Sequence, residues 1–258
     1  MAGFYPSTYF WDPSSRGALA KLERAYKGFV LGGHVRFFRK CLPTKGRVLE
    51  VGCGAGSFLQ RLRTLGYDVE GVELSEHAAE FAKRSYDLPI FCGDLEAFQA
   101  AEPFDAVCAY HVLEHMARPV EFIERVRRLL RPGGTLVVQV PNSESWQSSI
   151  FGRRWYGLDP PRHLVNYGAR SLQELLARCG FRVIREQHYS MRDNAPAIAS
   201  SLVPWLDPMS ARCRRRRGVL LALGEAVYLG LVMLAQPLAV AEAAAGRGGS
   251  LTVCAVRT

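Results

Sequence analysis

The chain has seven cysteines but no C-x-x-C pair among them. That excludes a zinc ribbon and, the count being odd, a closed disulfide framework; reduced thiols in a cytosolic protein are expected. A basic segment followed by an apolar run is also missing from the start, MAGFYPSTYFWDPSSRG, so no secretory signal is expected there. The composition is not depleted in hydrophobic residues: 48% hydrophobic and 22% charged over 258 positions is ordinary for a globular domain with additions, and excludes wholesale disorder. A generally basic surface is excluded despite the net charge of +9, because Arg212, Arg214, Arg215, Arg216 and Arg217 carry five of those charges and leave +4 elsewhere. The excess is a local patch.

What is present, from about residue 47 onward, is alternation. RVLEVG (47–52), DVEGVEL (68–74), PIFCGD (89–94), DAVCAYH (105–111) and TLVVQV (135–140) are short runs rich in β-branched residues and bounded by Gly, Pro or acids, which predicts strands. Between them SFLQRLRTLG (57–66) puts Phe58, Leu59, Leu62 and Leu65 on one helical face and stops at Gly66. VEFIERVRRLLRPGG (120–134) repeats the pattern with Phe122, Ile123, Val126, Leu129 and Leu130 before a Pro-Gly-Gly terminator. Such β and α units predict an α/β fold, a doubly wound parallel sheet with helices on both faces. Its ligand belongs outside the carboxyl ends of the strands.

The first strand runs into LEVGCGAGSF, where Gly52, Gly54 and Gly56 alternate ahead of a helix. Glycines there let the backbone turn sharply and let a ligand lie against bare main chain. A nicotinamide fingerprint would need G-x-G-x-x-G, and the third glycine comes one residue early. The second strand ends at Glu73, placed to accept from ribose hydroxyls, and the third at Asp94, where GDL is placed to read an adenine edge.

With these elements together, the sequence resembles the class I S-adenosylmethionine-dependent methyltransferases over roughly residues 40–190, through VLEVGCGAGSFLQRLRTLGYDVEGVELS, CGDLEAF, FDAVCAYHVLEHMARPVEFIERVRRLLRPGGTLVVQVPN and DPPRHLVNYGARSLQELLARCGFRV. It is most similar to the bacterial small-molecule branch that includes ubiquinone-biosynthesis-type O-methyltransferases. The resemblance implies a Rossmann-like sheet of seven strands whose last, LTVCAVRT (251–258), is antiparallel and follows FRVIREQHY (181–189) as sixth. It implies S-adenosylmethionine as cofactor, bound by Glu50, Gly52, Gly54, Gly56, Glu73, Leu74, Asp94, Leu95 and Tyr110. Glu50 would lie near the donor's methionine portion or hydrogen-bond the loop's own amides.

Two motifs compete with this reading. His111-Val112-Leu113-Glu114-His115 spells H-x-x-E-H, the signature of inverted zinc proteases. Those enzymes need both histidines on a long helix and a third ligand. Here the stretch follows the fourth strand, where the resemblance puts His111 at the rim of the site, lining it or packing, and has Glu114 and His115 fix the loop; no metal is expected. DPPR (159–162) is similar to the motif of amino-group methyltransferases but falls after the fifth strand and has Arg162 in place of an aromatic. His163 follows it, either as a proton acceptor for a substrate hydroxyl or as a loop-ordering residue. Trp155 and Tyr156 are pocket walls or core. His163 and His111 are thus the catalytic candidates, although an activated methyl donor asks of the protein mainly alignment.

Residues 1–44 form a helical N-terminal lid in this reading, with Tyr5, Tyr9, Phe10, Trp11, Tyr26 and Phe29 over the donor or in ordinary packing. Residues 45–190 with 250–258 make the methyltransferase core, and 191–249 an insertion between strands six and seven. In the insertion the arginines precede an apolar stretch at 219–241, about 34 Å if helical. One crossing would put two paired strands on opposite sides of a bilayer, so residues 212–241 are expected to contact a membrane surface peripherally, or to pack on the core or on a second subunit as a homodimer. The expected activity is methylation of a small-molecule or lipid-linked acceptor, at oxygen, in the cytoplasm or at the inner face of its membrane. The alternatives are a binding protein that keeps the fold without turnover, and a nucleic-acid methyltransferase using the Arg cluster; the complete donor motif and the lack of an RNA-binding module count against them.

Overall fold

The computed structural model describes residues 18–207 and 219–258. The arginine cluster and the aromatics Tyr5, Tyr9, Phe10 and Trp11 lie outside the described residues. Helix α1 (Ala18–Cys41) leads into β1 (Arg47–Val51), α2 (Ser57–Thr64), β2 (Asp68–Glu73), α3 (Glu76–Tyr86), β3 (Ile90–Cys92) and β4 (Phe104–Tyr110). A short 3-10 turn (Leu113–His115), α4 (Pro119–Leu129), β5 (Leu130–Pro141), α5 (Trp146–Phe151), α6 (Ala169–Arg178) and β6 (Phe181–Gln187) follow. Helices α7 (Asn194–Leu202) and α8 (Val219–Ala244) come before the last strand, β7 (Ser250–Arg257).

Among the described residues these strands make one sheet of seven in the order β3-β2-β1-β4-β5-β7-β6. The strands from β3 to β5 pair in parallel, while β7 runs antiparallel to both β5 and β6. Alternation sorts the side chains onto two faces. Val48, Ala106, Cys108 and Val137 pack with Phe38, Phe58, Leu59, Leu62, Ala79 and Ala82 from α1, α2 and α3. Leu49, Val51, Val107, Ala109, Leu136 and Val138 pack on the other side with Phe122, Ile123, Val126, Leu172 and Leu176 from α4 and α6. The expected helix faces are therefore the buried ones. Caps match the local sequence: the Ser75 hydroxyl accepts from the Ala78 amide at 3.3 Å, and Pro119 opens α4, where a missing N–H costs nothing.

The fifth and third strands differ most from their expected boundaries, and the sixth ends at Gln187, two residues short of 189. The fifth strand begins at Leu130, opposite Phe104, and the Pro-Gly-Gly segment lies inside it as an irregularity in register before Thr135 pairs with Ala106. Its glycines bend the strand instead of ending it. The third strand is only three residues, Ile90–Cys92.

The long connection from β6 to β7 leaves and returns at one edge of the sheet. Gln187 pairs with Thr252, and Ser250 pairs with Pro141 at the carboxyl end of β5, so the connection emerges where the parallel strands end. Helix α8 buries Val232, Ala235 and Ala239 against Ala195, Ile198 and Ala199 of α7. Its attachment is polar. Glu242, fully buried, accepts from the side chains of Gln147 and Asn194 and from the Gly249 amide at 3.1 Å, joining α8, α5, α7 and the entry to β7.

Replacing Glu242 by Ala removes the acceptor shared by three buried donors, of which Gln147 and Asn194 keep one other partner each, and should cost about 2–3 kcal/mol, whereas Glu242→Gln keeps an acceptor and should cost clearly less, about 1 kcal/mol. Urea unfolding of the two variants measures the difference, and equal losses would remove Glu242 as the anchor.

Candidate functional site

At the carboxyl end of β1 the chain turns through Gly52, Gly54 and Gly56, with φ of 70°, 53° and 75°. A Cβ at Gly52 would meet Val112 Cγ2 at 2.7 Å, whereas a Cβ at Gly54 would meet nothing within 4 Å. Gly52 is thus required by packing, and Gly54 faces open space against which a ligand can lie. Glu73 closes the loop: Oε2 accepts from the Gly54 amide and Oε1 from the Ser75 amide, both at 2.8 Å. Glu50, 6% exposed, has a buried Oε2 without a hydrogen-bond partner among the described residues. Burial first, then the charge of Glu73, pushes its carboxyl well above the usual carboxylate range.

Asp94 is exposed, with Oδ1 accepting from the Glu96 amide at 3.0 Å, and Leu95 beside it is buried. Leu74 is 61% exposed at the end of β2. Tyr110 ends β4 with its ring 4.9 Å from His34 of α1 and 5.1 Å from Phe58 of α2; its hydroxyl is buried and lacks a hydrogen-bond partner among the described residues. The Gly54 surface, the orphaned oxygen of Glu50 and the acid of Glu73 suit a ligand that carries a cationic amine and vicinal hydroxyls, and S-adenosylmethionine has both. The residues expected from sequence to hold the donor lie at the ends of β1 to β4, with Leu74 and Asp94 exposed.

Past Tyr110 the backbone enters the left-handed region at His111, φ 56°, held by its amide donating to the Gln139 carbonyl at 2.9 Å. That conformation costs on the order of 1 kcal/mol and aims the ring inward. Nδ1 lies 3.2 Å from Glu114 Oε1 and Nε2 3.3 Å from Asp193 Oδ2. Burial would push the ring's pKa down, but Asp193 and then Glu114 outweigh it and raise it to about 10. Asp193 is held well below the usual range by the same contact, against its own burial. The two carboxylates thus favour the protonated ring, which makes His111 a poor proton acceptor, and Gln139 Nε2 also lies 3.1 Å from its Nε2. Asp193 also accepts from Gln139 Nε2 at 2.6 Å and from the Ser190 hydroxyl.

Asp193, Gln139 and His34 went unread in the sequence. His34, pushed down to about 4 chiefly by burial, sits in a helix with no motif around it, Gln139 in an apolar strand, and Asp193 in what reads as the start of an insertion. No periodicity marks any of them, since each is defined by what it meets from another element.

The loop after β5 closes over the Leu113–His115 turn. The Glu114 carbonyl accepts from the Leu164 and Val165 amides at 2.8 and 3.2 Å, and His115 Nδ1–H donates to the Arg162 carbonyl at 2.9 Å. In DPPR the Pro160–Pro161 peptide is cis and Arg162 pairs with Asp159 at 2.8 Å. His163 donates from Nδ1 to the Gly157 carbonyl at 2.8 Å, its ring 4.8 Å from that of His115; burial lowers its pKa. His163 thus stands beside Glu114 and His115. Trp155 is core at 2% exposure and Tyr156 is exposed at 42%.

A family model for a methyltransferase domain matches residues 22–186. The chain is similar to a ubiquinone biosynthesis O-methyltransferase of Bradyrhizobium diazoefficiens, 32% identical over 155 residues, which cover 55% of this chain and 60% of that one. It is also similar to a dTDP-4-amino-2,3,4,6-tetradeoxy-D-glucose N,N-dimethyltransferase of Saccharopolyspora spinosa, 35% identical over 113 residues, 42% of this chain and 45% of the other. The chain thus spans less than two thirds of the length of either relative. Among solved structures it is similar in fold to magnesium protoporphyrin IX methyltransferase of Synechocystis PCC 6803 with bound SAH, with a TM-score of 0.56, 15% identity and coverage of 100% of this chain and 94% of that one. With this family match and a sheet of order β3-β2-β1-β4-β5-β7-β6, the chain belongs to the methyltransferase domain family, in its class I S-adenosylmethionine-dependent form.

Proposed function

We propose that the chain transfers a methyl group from S-adenosylmethionine to an oxygen of a small-molecule or lipid-linked acceptor. The observation that carries this reading is the cradle at the ends of β1 and β2, where a Cβ at Gly54 would meet nothing within 4 Å and the acids Glu50 and Glu73 are buried at the strand ends. Glu73 gives up its loop amides to accept from the ribose, Glu50 receives the amine, Asp94 and Leu95 flank the adenine, and Leu74 and Tyr110 border the pocket. The donor, once bound, supplies a methyl already activated for displacement. The chain's own part is to hold it in line with an acceptor and keep water out. His111, charged between Glu114 and Asp193, is a positioning residue at the acceptor edge. The O-methyltransferase relative supports oxygen as the methylated atom.

A lipid-linked acceptor is favoured by where α8 sits. It belongs to the connection that emerges at the edge holding the site, and Leu223, Val227, Met233, Leu234, Leu238 and Val240 on it are 41–79% exposed. In sequence the five arginines directly precede it, complementary to anionic headgroups. Peripheral contact suits this helix better than crossing, since β6 and β7 on either side of it pair in one sheet.

Calorimetry should find S-adenosylhomocysteine binding weakened at least about tenfold in Gly54→Val and Glu73→Ala, a loss of about 1.4 kcal/mol or more, with thermal unfolding still cooperative. Unchanged affinity in both would remove the donor assignment. For the acceptor, lipid, quinone and sugar-nucleotide extracts incubated with protein and donor should yield a product heavier by one methyl, detected by mass spectrometry and lost in Glu73→Ala; a gain only on nitrogen would overturn the choice of oxygen. For the membrane, replacing Arg214, Arg215, Arg216 and Arg217 with Ser should release the protein from anionic liposomes in flotation while donor affinity stays the same, each charge contributing about 1 kcal/mol. No flotation of the unaltered chain on either anionic or neutral lipid would favour α8 as a subunit contact.

A further inference from the structure

Beside the donor cradle, the turn after β4 and the loop after β5 bring together three side chains that ligate metals. Glu114, His115 and His163 each offer one ligand atom, and these atoms lie within 4.8 Å of one another. The two loops are tied by the hydrogen bonds from Leu164, Val165 and His115, so the grouping is built into the fold.

The Nδ1 atoms of the two rings are held as in a ligand set, and His163 Nε2 lies 3.8 Å from Asp159 Oδ2. His115 and His163 both donate from Nδ1 to backbone carbonyls, of Arg162 at 2.9 Å and Gly157 at 2.8 Å. A ring nitrogen facing a carbonyl oxygen carries the proton, so in each neutral ring the lone pair is on Nε2. Metal-bound imidazoles are oriented by this kind of second hydrogen bond. Glu114 is 1% exposed; its Oε1 meets His111 Nδ1, and its Oε2 is buried with no hydrogen-bond partner among the described residues. A carboxylate oxygen left in that state is costly, and a cation at that oxygen removes the cost.

We infer that Glu114, His115 and His163 form a binding site for a divalent transition-metal ion of the zinc type. Two imidazoles and one carboxylate suit such an ion, where magnesium or calcium would call for oxygen ligands. Three protein donors leave at least one position for water or an acceptor oxygen. A tetrahedral ion with bonds of about 2.1 Å separates its donors by about 3.4 Å, so the side chains draw in by up to about 1.4 Å on binding.

The site is not the protease motif that the sequence spells. His111 is turned away onto Asp193 and acts on the ligand set only through Glu114, and its place is taken by His163 from the distant loop. No metal was expected at this stretch for want of a long helix and a third ligand, and His163 supplies that third ligand from outside it. The site rests on side-chain geometry and stands whether or not the methyl-transfer reading does.

The test uses the full chain, stripped with a chelator and titrated with zinc against a chromophoric competitor, then with cobalt. One equivalent of zinc and visible ligand-field bands of imidazole-bound cobalt are expected. His115→Asn, His163→Asn and Glu114→Gln should each weaken zinc at least about tenfold, while His77→Ala, an exposed histidine of α3, leaves it unchanged. Retained S-adenosylhomocysteine binding and thermal unfolding certify the fold of the variants. Substoichiometric zinc in the unaltered chain, absence of cobalt bands, or full affinity in both histidine variants would overturn the site.

Discussion

Carboxylates buried where parallel strands end carry a heavy desolvation cost, and much of the site is arranged around them. Glu50, Glu73 and Glu114 are 6%, 6% and 1% exposed, in a sheet packed with apolar side chains on both faces. Each is compensated differently. Glu73 takes two backbone amides of its own loop, which shapes the glycine turn for as long as no ribose replaces them. Glu114 takes an imidazolium on one oxygen. Glu50 has neither, and burial pushes its carboxyl toward the protonated form, so a bound cation changes its state most.

That distribution accounts for the conformation of His111. A ring placed against both Glu114 and Asp193 goes with the left-handed backbone just past β4, and the hydrogen bond to Glu114 with the ion pair to Asp193 offsets the strain. It also accounts for why the start of the β6–β7 connection belongs with the site and not with an appendage. Asp193 is the counter-charge on the far side of the ring, and the next residue, Asn194, already belongs to the polar hub around Glu242 that anchors α8. The ion pair of His111 and the apolar helix are thus joined through adjacent residues.

The elements that rest on local chemistry were legible in the chain. Gly52 and Gly54 announced a positive-φ turn, Glu73 announced itself as the acid closing a second strand, and the buried faces of α2 and α4 followed from the spacing of Phe58, Leu59 and Leu62 and of Phe122, Ile123, Val126 and Leu129. Boundaries were less legible, because pairing with Phe104 keeps the Pro-Gly-Gly segment in β5 against its local tendency to stop.

By itself, the sequence determined the α/β alternation, the glycine turn after β1 with the acids at the strand ends, and the family, since each depends on residues a few positions apart or on motifs carried by one element. Only the tertiary structure decided the charge state of His111, the entry of His34 and Asp193, the pairing of Glu114 and His115 with His163, and the face of α8 left exposed. The physical reason is desolvation. A side chain's protonation, its partners and its capacity to ligate are set by what surrounds it, and here those surroundings come from β4, from the loop after β5 and from the segment before β7, far apart in the chain and brought to one edge of the sheet by its crossovers.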